Sequence, residues 1–384
     1  MNRKFIMGSS KKVLYSFYEK IKNIKLFSSV IAYVHISYQR WWGKASSLEL
    51  GITSPQQVKI AFICDEMTWQ NYRHDVSACF ITPRKWKKNL ASFSPDILFC
   101  ESAWSGIDKY KDSWRGQIYK TNRFLFENRK VLFEIVAYCK QQGIRTVFWN
   151  KEDPTYFDNP LHNFSDTALH FDNIFTTATE CVDSYKELGH GNVRVMMFGY
   201  SPEIFYPPSE EKRENIAVFA GSWFADQQVR CAELIKIFEE VLEAGIELQI
   251  YDRQWQSGKM EAIFPAKYRP YVRPGIPYQQ LGELYRRAKY VINVNTVKDS
   301  TTMFARRVFE AMACKAVIIS NDSPGLRQRF GRRIWFVGEA FCHDKENQYR
   351  DENFEYVKAY HSNKQNFKQI LNVVSQDSCE KGDS

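Results

Sequence analysis

The chain alternates short apolar runs with stretches in which apolar residues recur every three or four positions. "VKIAFICDE" (58–66), "DILFCES" (96–102), "RTVFWNKEDP" (145–154), "NIFTTA" (173–178) and "VRVMMFG" (193–199) read as strands. Between them, residues 83–93, 124–142 and 179–188 read as helices. The second of these carries Leu125, Val131, Leu132, Ile135, Val136 and Cys139 on one face and stops at Gly143. Prolines and charges in "SPEIFYPPSEEKREN" (201–215) break the pattern, which then restarts. Strands are expected at 216–223, 246–252, 290–295 and 316–320, and helices at 226–244, 278–288 and about 302–314. Strands that alternate with helices form βαβ units and a parallel sheet. The pattern therefore predicts an α/β protein with two Rossmann-like, doubly wound domains, at 56–205 and 213–340, facing a central cleft. A tail at 341–384 includes a closing helix near 354–374. A ligand of such sheets sits beyond the carboxyl ends of the strands, which makes the cleft the expected site.

The first 50 residues follow a different rule. Leu14, Phe17, Tyr18, Ile21, Ile24, Ile31, Val34 and Tyr38 keep close to helical spacing, interleaved with lysines at 11, 12, 20, 22 and 25 and followed by Trp41 and Trp42. The longest uncharged stretch, Leu26 to Gln39, has 14 residues, whereas a membrane span takes about 20. A basic amphipathic helix with interfacial aromatics is expected here, either packed on the protein's own body or lying on an anionic membrane surface.

Charge sharpens that picture. Residues 1–44 hold nine Lys/Arg and the single acid Glu19, a balance of +8, so the whole-chain value of +9 leaves +1 for everything else. A nearly neutral body argues against a nucleic-acid partner, which calls for a basic face on the folded part. The nine cysteines are scattered with no C-x-x-C pair, so neither a disulfide framework nor a zinc site is expected. A reducing cytoplasm fits this usage, with peripheral attachment to the inner face of the cell membrane through residues 1–44 as the membrane reading. Seven histidines show no ligand spacing with acids or cysteines and there is no Asp-x-Asp, so no essential metal is expected.

"FARRVFEAMACKAVIIS" (304–320) joins a helix to a buried strand yet begins with charges. A helix that starts near 302 would offer unpaired N–H groups to an anion, with Ser300, Thr301 and Thr302 as hydroxyl donors and Arg306 and Arg307 as cations. Glu310, about two turns further on, would accept hydrogen bonds from vicinal hydroxyls of a ribose. The same charges also read as a solvated face with an ion pair along the helix.

Residues 276–331, "IPYQQLGELYRRAKYVINVN…MFARRVFEAMACKAVIISNDSPGLRQRFG", resemble the C-terminal donor domain of GT-B glycosyltransferases, in particular the CgeB/spore-protein-like group. Residues 147–207 look like its N-terminal domain, and "FAGSWFADQQVR" (219–230) is similar to the opening of its second domain. The resemblance implies two facing Rossmann-like domains and a nucleotide-diphosphate-sugar co-substrate, with UDP as the first base to consider and no other cofactor. It matches Glu310 to the acid that holds the donor ribose, Gly221 and Ser222 to the first donor-domain loop, and Arg230 to a basic position near the diphosphate. Three departures stand out: Thr302 occupies the place of a second acid, Lys315 that of a glycine, and "YDRQW" (251–255) that of a glycine-containing turn.

Glycosyl transfer needs a base for the acceptor hydroxyl, and the acids at strand ends of the first domain, Asp65, Glu101 and Asp153, are candidates. Arg253 and Trp255 are placed at the nucleobase, and Trp104 and Trp114 as a platform for an acceptor sugar; each reads equally as a packing, capping or surface residue. Transfer to a cell-envelope glycan or lipid-linked acceptor is the expected activity. A catalytically silent GT-B-like glycan-binding or assembly protein and a nucleotide-sugar epimerase of the same shape remain open alternatives.

Overall fold

A computed structural model of the chain describes residues 25–46, 58–210, 212–255 and 260–380. After α1 (Lys25–Trp41) come β1 (Lys59–Ile63), α2 (Glu66–Tyr72), β2 (Ser77–Phe80), α3 (Trp86–Phe93), β3 (Ile97–Glu101), α4 (Lys130–Gln141), β4 (Arg145–Asn150), α5 (Phe164–Ala168), β5 (Asn173–Thr176), α6 (Cys181–Glu187) and β6 (Val193–Val195). The second series runs β7 (Glu214–Gly221), α7 (Gln228–Glu243), β8 (Glu247–Asp252), β9 (Val272–Pro274), α8 (Leu281–Arg287), β10 (Ala288–Asn293), α9 (Arg307–Ala313), β11 (Val317–Ser320), α10 (Pro324–Phe330) and β12 (Trp335–Phe336). It is followed by α11 (Glu346–Tyr360) and α12 (Asn363–Glu380).

The strands make two six-stranded sheets, ordered β2-β1-β3-β4-β5-β6 and β12-β11-β10-β7-β8-β9. Pairs β1–β3 and β3–β4 in the first and β7–β8, β7–β10 and β10–β11 in the second are parallel. Both orders are those of doubly wound α/β folds, as the alternation predicts. Each reverses at one point, between β1 and β3 in the first sheet and between β7 and β10 in the second, and such switch points are where α/β sheets bind ligands. Contacts divide the described chain into two compact units, one formed by residues up to 65 with 78–152 and 156–174, the other by 66–77, 153–155 and 175–380. The second unit thus takes in α6 and β6, which precede the proline-rich 201–215 segment, together with α2.

Central strands read as continuous apolar runs because both sheet faces are covered: β1 and β3 are buried from Ile60 to Ile63 and from Ile97 to Glu101. In the second unit Phe219, Leu234, Phe238, Ile250, Ile292 and Ile319 meet in one core cluster. Helix α8 comes so close to the 201–206 segment that a Cβ on Gly282 would lie 1.9 Å from the Ile204 carbonyl oxygen. Backbone bounds both sides of that contact, so relaxation is costly. Gly282→Ala is expected to lower stability by about 2–3 kcal/mol or more, read from the urea midpoint with an unchanged m-value.

Four expectations need correction. The helix placed at about 302–314 is α9 and starts at Arg307, because side chains hold the preceding turn out of helix: Ser300 Oγ accepts from the N–H groups of Met303 and Thr302, and Asn295 Oδ1 accepts from that of Ala305. Glu310 therefore lies in the first turn rather than two turns in. The single closing helix at 354–374 is two helices, since Tyr200 exchanges backbone hydrogen bonds with His361 and Asn363 and interrupts the run between them. The helix expected from 124 begins at Lys130, because Asn128 Nδ2 is spent on the Gly116 and Tyr119 carbonyls. Of the basic amphipathic segment, residues 1–24 lie outside the described part; α1 carries the rest. Among the described residues no helix is long and apolar enough to cross a membrane.

Candidate functional site

At the switch point of the second sheet three arginines converge. Arg307, the first residue of α9, bridges the two strands that part there: Nη2 donates to the Ala220 carbonyl of β7 at 3.0 Å and Nη1 to the Ile292 carbonyl of β10 at 3.3 Å. Its guanidinium lies 5.0 Å from the Phe219 ring centre, which fixes the plane. Arg230, in the first turn of α7, donates to the Ser222 carbonyl at 3.2 Å and stacks on Phe224. Arg253 follows β8, its N–H directed to the Gly221 carbonyl at 3.4 Å. Burial first, then the Arg307 and Arg253 cations, pushes the Arg230 guanidinium down to about 10. None of the three forms an ion pair with a described carboxylate, although charges held this close repel one another.

Beneath them lies Glu310, 3% exposed, which accepts a hydrogen bond from the Tyr278 hydroxyl. Burial pushes its carboxyl above the ordinary range, against the pull of Arg306, Tyr278, Arg307 and Arg253. Arg306 also reaches α2: its Nη2 donates to Thr68 Oγ1 at 3.0 Å, and its guanidinium stacks on Phe198. Beside β10, Asn293, Asn295 and Asn321 form a buried amide cluster in which Asn293 Nδ2 donates to Asn295 Oδ1 and Ser320 Oγ, and the Asn295 N–H donates to Asn321 Oδ1.

The switch point of the first sheet holds a different group. Glu101, at the end of β3, accepts the Asp65 N–H at 2.6 Å and lies 3.2 Å from Lys151 Nζ. Asp65, just after β1, accepts the N–H groups of Trp104, Ser105 and Gly106 at 2.8, 2.8 and 2.9 Å and lies 3.3 Å from Lys151 Nζ. Burial works to raise its pKa, but Lys151 and the three N–H groups together hold the carboxyl below its usual range. The neighbouring Glu152 moves the opposite way: burial raises it, Asp65 and Glu101 add to the rise, and Lys151 and Trp104 only partly offset them. Trp104 Nε1 donates to Glu152 Oε1 at 2.9 Å, and the indole meets Tyr119, Tyr156, His162 and Phe164 with ring centres 5.1–5.7 Å apart.

Residues 235–372, which include α9, Glu310 and Arg307, match the model of a family described as glycosyl transferase-like. The chain has the GT-B fold of glycosyltransferases. It is 18% identical over 257 residues to the spore protein CgeB of Bacillus subtilis (strain 168), which covers 57% of this chain and 77% of that protein. A structure of an alpha-glucosyltransferase in complex with UDP-glucose and DNA containing an abasic site superposes with a TM-score of 0.53. It is 8% identical and covers 83% of this chain and 99% of that one. The crystal structure of TarM, 12% identical with a TM-score of 0.46, is longer: it covers 72% of this chain, which spans 54% of that one.

In this GT-B chain the donor-side residues named from the sequence fall into two groups. Gly221, Ser222, Arg230, Arg253, Arg307 and Glu310 surround the switch point. Ser300, Thr301 and Thr302 lie in the turn ahead of α9, where Thr302 Oγ1 accepts the Thr179 N–H at 2.8 Å and Ser300 Oγ donates to Glu180 at 3.1 Å. The later helix start thus removes them from the helix end at which they were expected. Trp255 is 51% exposed beside Arg253. Lys315 stands where a glycine was expected and adopts φ 56, the left-handed conformation that glycine takes freely.

Each first-domain candidate has partners of its own. Asp65 and Glu101 are held by Lys151 and backbone N–H groups. Asp153 is 0% exposed and accepts the hydroxyls of Thr176 and Tyr185 at 2.7 and 3.1 Å. Trp114 is also 0% exposed, its Nε1 donating to the Ile81 carbonyl, which rules it out as a sugar platform; Trp104 keeps a partly open face. Sequence reading passed over Glu152, Tyr278 and the asparagine cluster. The signals available were the first acid of "NKEDP" and the asparagines that close the apolar run "YVINVN".

Proposed function

We propose that this chain transfers a glycosyl group from a nucleoside-diphosphate sugar to a hydroxyl of a cell-envelope glycan or lipid-linked acceptor, at the inner face of the cell membrane and without a metal. The observation that carries the reading is the arginine group at the β7–β10 switch point: three cations unpaired with any described carboxylate, of which Arg307 is held by carbonyls of β7 and β10 and Arg230 by the Ser222 carbonyl just past β7. A diphosphate leaving group develops negative charge, and fixed donors of this kind stabilise it without reorganising. UDP is the first nucleotide to test, the one named in the alpha-glucosyltransferase complex. Glu310, under Tyr278, holds the donor ribose in this reading.

For the base we place Glu152 ahead of Asp65, Glu101 and Asp153. A carboxyl raised toward neutrality accepts a proton at working pH better than one held low by a lysine, and paired carboxyls pushed apart in this way divide roles. Trp104 orients it.

Thermal stabilisation by UDP, GDP, dTDP, CDP and ADP, with EDTA present, tests the donor half. One nucleotide at 100 times its Kd is expected to add about 2.7 kcal/mol. Arg230→Ala and Glu310→Ala are each expected to weaken that nucleotide at least about tenfold, the loss of one charge-assisted contact. No stabilisation by any of the five would overturn the proposal in favour of a silent binding protein.

A further inference from the structure

The helix α1 is inside out. A surface helix normally turns its apolar stripe to the core, yet α1 is fixed to the first unit by its polar side chains. Ser29 Oγ accepts the Leu125 N–H at 2.9 Å, His35 Nε2 meets the Asp112 carbonyl at 3.1 Å, and Arg40 pairs with Glu134 at 2.9 Å. The residue of α1 that is buried is Ser29. Leu26, Val30, Tyr33, Val34, Trp41 and the adjoining Trp42 face outward at 53–67% exposure. An apolar face of this extent marks an interaction surface.

Under the same helix lies a cavity of about 360 Å³. Ile31, Ile36, Phe124 and Leu161 form most of its apolar wall, and the arginines Arg115 and Arg123 also line it, with no carboxylate among the lining residues. Arg123 makes no ion pair with a described residue, and Arg115 reaches Asp112 only at 3.5 Å. The cavity touches Tyr119 and His162, whose rings pack on Trp104, the residue that hydrogen-bonds Glu152.

We propose that α1 docks this enzyme on an anionic lipid bilayer, with its outer face in the interface and the cavity beneath it receiving a phosphate-bearing lipid head group. Charge names the occupant: residues 1–44 carry +8, whereas the rest of the chain is nearly neutral, and tryptophan and tyrosine are the aromatics of a membrane interface. A protein partner or a second copy would not call for that concentration of lysines beside an apolar helix. The proposal rests on the membrane-side acceptor of the function proposed above and deepens it, assigning the acceptor's head group to the arginine-lined cavity.

Sedimentation of the full-length chain with phosphatidylcholine vesicles, with and without phosphatidylglycerol, tests it. Binding is expected to the anionic vesicles and at least about tenfold less to the neutral ones, falling with added salt. Val30→Asp with Val34→Asp should abolish binding, and Arg115→Ala with Arg123→Ala should remove most of the preference for anionic lipid. All four side chains are solvent-accessible, so the melting temperature should stay near wild type. Absence of vesicle binding overturns the proposal, as does binding that either pair leaves unchanged. So does a concentration-dependent dimer, broken by the aspartate pair, that binds no vesicles. Nucleotide stabilisation read on the same preparations separates the two readings: vesicle binding lost with nucleotide intact sinks this inference alone, and the reverse sinks the donor reading alone.

Discussion

Lys151→Met is expected to destabilise the protein by about 3–5 kcal/mol at neutral pH. The lysine is 8% exposed and stands between Asp65 and Glu101, whose side chains are 16% and 0% exposed. Methionine keeps the apolar stem but leaves two buried carboxylates facing each other with nothing between them, and an uncompensated buried charge is what makes breaking such a group costly. The deficit should shrink as pH falls, because protonation removes the charges the variant cannot neutralise. Adding Asp65→Asn and Glu101→Gln should recover part of the loss, since the charges that need the cation are gone, while an amide nitrogen replaces one of the two Asp65 oxygens that accept backbone N–H groups. Urea unfolding of the single and triple variants at pH 7 and pH 5 measures all of this. A single variant within about 0.5 kcal/mol of wild type would mean that the carboxylates are neutralised by some other route.

The same trio shows where the sequence was legible and where it stopped. Acids that end apolar strands mark the carboxyl edge of a parallel sheet, and Asp65 and Glu101 do sit there, across the β1–β3 switch point. Their task was not legible, because it depends on Lys151, which is 50 residues from Glu101 in sequence and reaches both acids only when β4 has joined the sheet. Element types survived for a similar reason: short apolar runs and three- to four-residue periodicities are local, whereas the ends of α9 and α11 are set by Ser300, Asn295 and Tyr200, side chains and backbone outside the helices themselves. Arg230, Arg253 and Arg307 were each visible as a charge at a strand-to-helix turn. Their convergence came from sheet order, which brings β7 beside β10 although about 70 residues separate them. The inward polar side of α1 was hidden because Ser28, Ser29 and His35 have the spacing of any helix face, and only the partners at 112–125 decide which way it turns.

Acid should unfold this protein early, and His361 is a main reason. The ring lies in the short break between α11 and α12, 7% exposed, stacked on Phe309 with centres 4.1 Å apart and close to Tyr356. Burial chiefly, with the Arg329 cation adding to it and the Phe198 carbonyl working against it, pushes its pKa down to about 3. An unfolded chain takes up a proton at a histidine near pH 6.5, while this one stays neutral, so between pH 6.5 and 3 the unfolded state binds more protons and stability falls as the pH drops. The contribution is fully present above pH 6.5, about 2–3 kcal/mol of it is gone by pH 4.5, and about 4–5 kcal/mol by pH 3. The break it occupies also carries the backbone bonds to Tyr200, and Asn363, two residues on, hydrogen-bonds Asn71 of α2, so protonation loosens the fastening of the carboxyl-terminal helices. His361→Phe keeps the stack and has no proton to take up. The difference between the urea midpoints of the two proteins should change steadily from pH 7.5 to 4.5, the wild type losing about 2–3 kcal/mol more than the variant over that interval. Parallel curves would show that the imidazole stays accessible to a proton in the folded state and that the acid sensitivity resides in the carboxylates instead.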